Sequence, residues 1–338
     1  MTRFNISCAT LGIALCACGV VEDPATEIST TAQPGMTLQG MTLQGMTLQG
    51  MTLQGMTLQG MNLDGASLSG DTLQHLRVER GEVVAERGPA TLRGTALVGA
   101  HLLARARNLT TGAATSVEYR ITAIAAEDPQ YDPTQTGHTF LYTLEQLVGD
   151  TGAWQPACPA DTDGRRVAIP LAAVWDEHGD RSVSPSQFTF GCTTGVIAKC
   201  YRWGYRPWVT GYGDLASMHW TCTRLARADY CGNGIPHTRN GTTINVWDRL
   251  PAPGPIQRHG LLTPLGMIFE AGWNTGGAVC MSHARWALDD RDALAALCPD
   301  RLVPPGLGEA VCDTVSEVLG YDARATMFNE AYPNPIAL

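Results

Sequence analysis

Cys222-Thr223-Arg224-Leu225-Ala226-Arg227-Ala228-Asp229-Tyr230-Cys231-Gly232-Asn233-Gly234 is the stretch on which the reading of this chain turns. Eight residues separate its two cysteines, and a Gly-Asn-Gly turn follows them. Upstream, Phe190-Gly191-Cys192-Thr193-Thr194-Gly195-Val196-Ile197-Ala198-Lys199-Cys200 repeats the layout with seven residues between cysteines. Short loops of this kind suit disulfide staples over β-turns. The tryptophans run from Trp154 to Trp286, and all but Trp154 lie within the span of the later cysteines, Cys158 to Cys312, which marks this region as the ordered heart of the protein.

Outward from that centre, the cysteine count is the sharpest constraint. Of 11 cysteines, Cys8, Cys16 and Cys18 belong to the N-terminus. The remaining Cys158, Cys192, Cys200, Cys222, Cys231, Cys280, Cys298 and Cys312 form an even set. In an exported chain such a set reads as disulfides, with about a hundred possible connectivities. One local pairing is expected, Cys298 with Cys312, because two short helical patterns around 289–298 and 308–319 flank Pro304-Pro305.

The N-terminus says where the chain works. An apolar run from Ile6 to Ala17 follows Arg3 and is too short to span a bilayer comfortably, so residues 1–17 read as a signal peptide. Its end, Leu15-Cys16-Ala17-Cys18, resembles the bacterial lipobox. That resemblance implies that Cys18 becomes the lipidated first residue and anchors the chain to a bilayer. Gly19 stands where an aspartate would signal inner-membrane retention, so the expectation is an outer-membrane lipoprotein facing the periplasm or the cell surface. Residues 18–35 are polar and proline-containing and read as a flexible tether. No second long apolar run follows.

A five-residue repeat comes next, in the segment 36–104. Met-Thr-Leu-Gln-Gly recurs in tandem from 36 to 60, continues in variant form to His75, and returns from Ala90 to Ala104 with Leu92, Leu97 and Leu102. A period of five fits neither a helix nor a plain strand. The pattern resembles the pentapeptide-repeat family, which implies a right-handed β-helix with leucine inside. A disordered spacer is the alternative, since five identical copies point to recent duplication. Between the two blocks, 76–89 alternates around Arg80-Gly81 and predicts a hairpin.

From 105 to 338 the expected domain is mainly β, rich in disulfides, with short C-terminal helices. Val117–Ile124 and Thr139–Leu144 alternate as strands, Asp176–Asp180 is a turn, and the longest helical signals come after 284. The Ala228-Asp229-Tyr230-Cys231 tetrapeptide, with the segments around it from about 150 to 290, resembles the ADYC domain, a family of uncharacterised exported proteins found mainly in myxobacteria. The resemblance implies export and no particular activity.

Composition excludes more than it assigns. Charged residues are 16% and the net charge is −9, becoming −10 once Arg3 is removed with the signal; this argues against a nucleic-acid partner. Lys199 is the only lysine, a bias toward arginine expected of a GC-rich genome. No Gly-x-Ser-x-Gly or free-cysteine signature supplies a nucleophile.

Four readings of the cysteine-rich region remain. In the first, Asp229 caps backbone N–H groups or pairs with Arg227 or Arg239, and the arginines near Trp203 and Trp208 stack on rings. In the second, Asp229, His237, Asp248 or Glu270 serve acid–base hydrolysis, with Asp229, His237 and Glu270 the foremost candidates. In the third, His219, Cys222, Cys231 and His237 bind zinc. In the fourth, exposed tryptophan and tyrosine rings form a groove for glycan or peptide. An oxidising setting favours disulfides over zinc, so no metal or cofactor is assigned. The expected function is a non-catalytic envelope or surface module whose partners are the bilayer, through Cys18, and an envelope glycan or protein. An extracytoplasmic hydrolase is the alternative. Exposure of the tryptophans, against convergence of carboxylates and histidine in a pocket, separates the two.

Overall fold

The computed structural model describes residues 62–107, 114–129, 139–149, 151–176, 178–185, 187–238, 242–251, 253–260, 265–285, 294, 298 and 312–333. The expected signal peptide, the expected lipidation site Cys18, the expected tether and the tandem repeats of 36–60 lie outside the described residues, as does most of the helical pattern at 289–298.

A large antiparallel sheet comes first along the chain. It is built from β1 (Asn62–Leu68) and β2 (Asp71–Thr72), then β6 (His101–Arg107), β7 (Ala114–Ala126), β8 (Phe140–Val148), β9 (Ala153–Pro156), β10 (Val167–Leu171) and β13 (Thr189–Cys192). Its order is β13-β10-β8-β7-β6-β1-β2, with β9 also paired to β8. The alternation at 117–124 and 139–144 is thus realised in β7 and β8, which register Ile121 on Leu144. Tyr119, Ile121, Tyr142 and Leu144 are buried in one cluster with Phe190 from β13.

The repeat units within 62–104 do not wind as a β-helix. β1 pairs antiparallel with β6, and β5 (Ala90–Arg93) antiparallel with β4 (Glu82–Arg87), whereas helix coils would stack in parallel. The units bury Leu68, Leu73, Leu97 and Leu102 by joining a larger core and need no copies of themselves. The 76–89 hairpin is present as β3 (Gln74–Glu79) and β4. Arg80 and Gly81 both have positive φ, 50° and 78°, as a two-residue type I′ turn requires. A Cβ on Gly81 would stand 2.1 Å from the Tyr201 hydroxyl, so a second requirement fixes the glycine.

The cysteine-rich segment is helical where staples over turns were expected. Helix α1 (Val196–Arg202) follows β13, and α2 (Leu215–Arg227) is the longest helix among the described residues. Leu215, Met218, His219, Cys222, Leu225 and Ala226 are buried at helical spacing, a pattern that the flanking cysteines disguised. Asp214 opens α2, its side chain accepting from Ser217 N at 3.0 Å. A hairpin of β11 (Val174–Trp175) and β12 (Arg181–Ser182) closes through the Asp176–Asp180 turn.

A second sheet has the order β14-β17-β15-β16, from β14 (Ile244–Asp248), β15 (Ile268–Asn274), β16 (Gly277–Met281) and β17 (Met327–Ala331). One face shares a core with α1 and α2. The other carries α3 (Val315–Tyr321), started by a capping box between Thr314 and Glu317 and packed on Phe328 and Val279.

Four disulfides join the described residues: Cys158–Cys192, Cys200–Cys222, Cys231–Cys298 and Cys280–Cys312. The expected Cys298–Cys312 pair is therefore replaced, and neither short inter-cysteine loop closes on itself. Cys200 and Cys222 sit on the buried faces of α1 and α2 and tie those helices together, which the helical periodicity makes possible. Cys312 is drawn to Cys280 on the edge strand β16 by α3 docking on that side of the sheet. Within these residues no helix is long and apolar enough to cross a membrane.

Candidate functional site

The end of α2 is the place where chemistry-bearing side chains gather. Ala228 leaves the helix in the left-handed region, φ 51°, ψ 44°. Its N–H donates to Leu225 O at 3.0 Å, and Asp229 N donates to Arg224 O at 3.0 Å, the two bonds of a Schellman terminus. The chain turns sharply here, and each following residue is set to a separate task.

Asp229 is fully buried. Its Oδ2 accepts from Arg224 Nη1 at 2.6 Å and from Gly234 N at 3.0 Å. Its Oδ1 accepts from Asn233 N at 3.0 Å. Backbone capping was foreseen; the arginine partner is Arg224, five residues earlier, in place of Arg227 or Arg239. Arg224 also donates to Thr275 O at 3.1 Å and reaches Asp180 at 2.5 Å, tying the helix end to two other turns. Gly232, at φ 67°, lets the turn approach closely: a Cβ there would lie 1.8 Å from Gly276 O.

Tyr230 packs on Trp273, with ring centroids 5.3 Å apart and 24° between planes. Its carbonyl accepts from Ala278 N at 3.0 Å and so covers the edge strand β16. Its hydroxyl donates to Glu270 Oε1 at 3.0 Å and accepts from Arg285 N at 2.8 Å. Burial lifts the Tyr230 phenol well above its ordinary range, so it stays protonated as the donor. Cys231 closes the turn through its bond to Cys298.

Glu270 is the second buried carboxylate. Arg285 grips it as a fork, Nε to Oε2 at 2.9 Å and Nη2 to Oε1 at 2.9 Å. Asn329 Nδ2 donates to Oε2 at 2.7 Å, and Trp273 Nε1 holds Asn329 Oδ1 at 2.8 Å. Arg285 also donates to Ala226 O at 3.2 Å and, alongside Ala228 N, to Leu225 O at 2.9 Å in the last turn of α2.

Asp229, Tyr230, Glu270 and His237 are thus brought into one region; the His237 ring lies 5.7 Å from that of Tyr230. They do not form a pocket with free acid and base. Both oxygens of each carboxylate accept from buried arginine and other donors, and both residues show 0% exposure. Asp248 stands elsewhere, accepting from Tyr205 Oη at 2.9 Å and Gln257 N at 2.7 Å, and burial raises its carboxyl above the usual range.

The zinc reading is overturned. Cys222 and Cys231 are bonded to Cys200 and Cys298, and zinc needs their thiolates. His219 lies on α2 against Trp175 and His237 against Tyr230. No group of three or more metal-ligating side chains occurs among the described residues.

The described tryptophans are core groups. Trp175, Trp203 and Trp273 are buried, and Trp154, Trp208, Trp220 and Trp247 half-buried. Arg206 lies over Tyr201 with its guanidinium carbon 5.6 Å from the ring centroid, a stack of the kind expected near Trp203 and Trp208. Sequence reasoning missed Arg224, Arg285 and Asn329. The signal for Arg224 was its place two residues after Cys222 on the apolar face of an unrecognised helix; Arg285 and Asn329 carry no local signal.

Fold and site together define a disulfide-stapled, mainly β domain whose helix terminus is locked by two buried ion pairs. The chain belongs to the ADYC domain family, whose profile matches residues 94–287, more than half of its length. The match begins before residue 105, inside the segment read as repeats. Neither a curated protein nor a solved structure matches the chain.

Proposed function

We propose that this is an exported lipoprotein, anchored through Cys18, whose stapled domain binds or organises an envelope glycan or protein without catalysing a reaction. The observation that carries this reading is the complete engagement of Asp229 and Glu270. Acid–base catalysis needs a carboxyl group within reach of a substrate proton. Two carboxylates at 0% exposure, gripped by Arg224 and Arg285, serve instead to fix the end of α2. The four disulfides fit a compartment outside the cytoplasm, where such bonds persist.

Two experiments test the reading. The full chain, expressed in a bacterium with lipoprotein processing, should partition with membranes, and Cys18→Ser should release it. Purified in detergent, the chain should be retained on isolated envelope polymers such as peptidoglycan sacculi or lipopolysaccharide. Retention on none of them by a folded, oxidised chain would overturn the binding role. A hydrolytic activity lost in His237→Ala would restore the hydrolase that uses Asp229, His237 and Glu270.

A further inference from the structure

The four disulfides differ in their reach to solvent. Cys158 and Cys192 lie in the core of the large sheet, Cys200 and Cys222 in the core shared by α1, α2 and the second sheet, and Cys280 and Cys312 beneath α3, every one of them buried. In the Cys231–Cys298 bond, Cys298 is buried, but Cys231 only packs against the rim of its cluster and is partly exposed, alone among the eight. Exchange begins when a thiolate approaches one sulfur of a disulfide, so access decides which bond reacts while the fold stays intact. A bond closed inside a core exchanges only after the structure around it opens.

Cys231 is also held in place by contacts that do not depend on its bond. On one side of it, Tyr230 O accepts from Ala278 N at 3.0 Å; on the other, Gly232 N donates to Asp229 O at 3.2 Å. The Asp229 side chain then accepts from Asn233 N and Gly234 N, each at 3.0 Å. The turn therefore keeps presenting Cys231 when the disulfide opens. Across the bond, Cys298 N donates to Leu294 O at 3.0 Å. The stretch that carries both is fastened independently at its two ends, by Arg285 on Glu270 and by Cys312 on Cys280. Cys231–Cys298 is the covalent link between the motif's turn and the middle of that stretch.

We infer that Cys231–Cys298 is a thiol–disulfide exchange site whose partner is a dithiol protein of the Cys-x-x-Cys class. The partner's first thiolate attacks Cys231 Sγ; a bond forms between those sulfurs, and Cys298 leaves as a thiolate that takes up a proton. The partner's second thiol, losing its proton, then attacks its own sulfur in the mixed disulfide, and Cys231 leaves and is protonated. The dithiol is thereby oxidised to a disulfide, and Cys231–Cys298 is reduced to two thiols; the reverse sequence closes the bond. Opening it uncouples the 294–298 stretch from the motif's turn, while the other three disulfides and both buried ion pairs hold the fold. This inference is independent of any envelope polymer the domain binds.

The test is graded reduction of the full oxidised chain in detergent with dithiothreitol, quenched with N-ethylmaleimide and mapped by peptide mass. Cys231 and Cys298 should be alkylated together, at least about tenfold faster than any other pair, with the circular dichroism of the fold unchanged. A thioredoxin-fold oxidoreductase whose second cysteine is replaced by serine should then be trapped as a mixed disulfide on Cys231. Another pair opening first, all four opening together with loss of the fold, an adduct on Cys298 alone, or no trapped adduct would each overturn the exchange site.

Discussion

Glu270→Gln isolates the claim on which the functional reading depends. Glu270 accepts from Tyr230 Oη at 3.0 Å, Arg285 Nη2 at 2.9 Å, Arg285 Nε at 2.9 Å and Asn329 Nδ2 at 2.7 Å. Every neighbour is a donor. Glutamine keeps the shape, but its amide nitrogen must replace either Oε1 or Oε2, and in each position it meets an Arg285 N–H that can only donate, so at least one bond to Arg285 is lost. Arg285, at 0% exposure, then keeps its charge with no counter-ion in contact. Removing one partner of a buried pair destabilises by about 3–5 kcal/mol, a large share of the ~5–15 kcal/mol typical of a folded domain. Urea unfolding of the oxidised chain measures this as a lower midpoint at unchanged slope. In a double-mutant cycle, Arg285→Met added to Glu270→Gln should recover part of the loss, since the unmatched charge is gone. The recovery is incomplete because Leu225 O and Ala226 O lose the donors Arg285 supplied. A loss below ~1 kcal/mol for Glu270→Gln would refute the reasoning: it would mean that water reaches the carboxylate, which could then serve as an acid or base.

Lys199→Met should stabilise the protein at neutral and acid pH and lose that advantage as the pH rises toward 10.5. Burial lowers the Lys199 pKa to about 7, so the unfolded chain binds more protons between the two values and wild-type stability climbs across that window; unfolding free energies of both proteins at pH 6 and pH 10 check it. His219→Gln should flatten acid destabilisation. The imidazole pKa falls from 6.5 to about 3 on folding, so wild type loses stability as pH drops through that range, by at most about 1.4 kcal/mol per pH unit from this group. The difference between wild-type and variant pH profiles removes the carboxylates from the comparison. A chain ending at residue 311 should fail to fold, read by circular dichroism and by unpaired thiol at Cys280, because it lacks β17 and Cys312.

The legible part of the fold was local. Alternation gave β7 and β8, and Arg80-Gly81 gave the β3–β4 hairpin, because both signals act within a few residues. The helices α1 and α2 were hidden by cysteines read as turn staples. Cys200 and Cys222 are apolar core residues at helical positions, and the bond joins two helices instead of closing one loop. The repeats misled in the opposite sense. A period of five suggested self-stacking, yet Leu68 and Leu102 are buried by β1 pairing with β6 and by a core shared with Tyr119 and Phe190.

The tetrapeptide itself was legible as a landmark and not as a mechanism. Its four residues act at four different places: Ala228 ends α2, Asp229 draws in Arg224 and the 233–234 turn, Tyr230 spans from β16 to Glu270, and Cys231 reaches Cys298. None of those partners is adjacent in sequence, so periodicity could not supply them. Asn329 on β17 lies beyond the family match at 287, yet it completes the shell around Glu270, and β17 separates β14 from β15 in the second sheet. The segment after 311 therefore belongs to the folding unit that the motif organises. The motif's first three residues act inward, which leaves outward-facing chemistry to be sought on other surfaces.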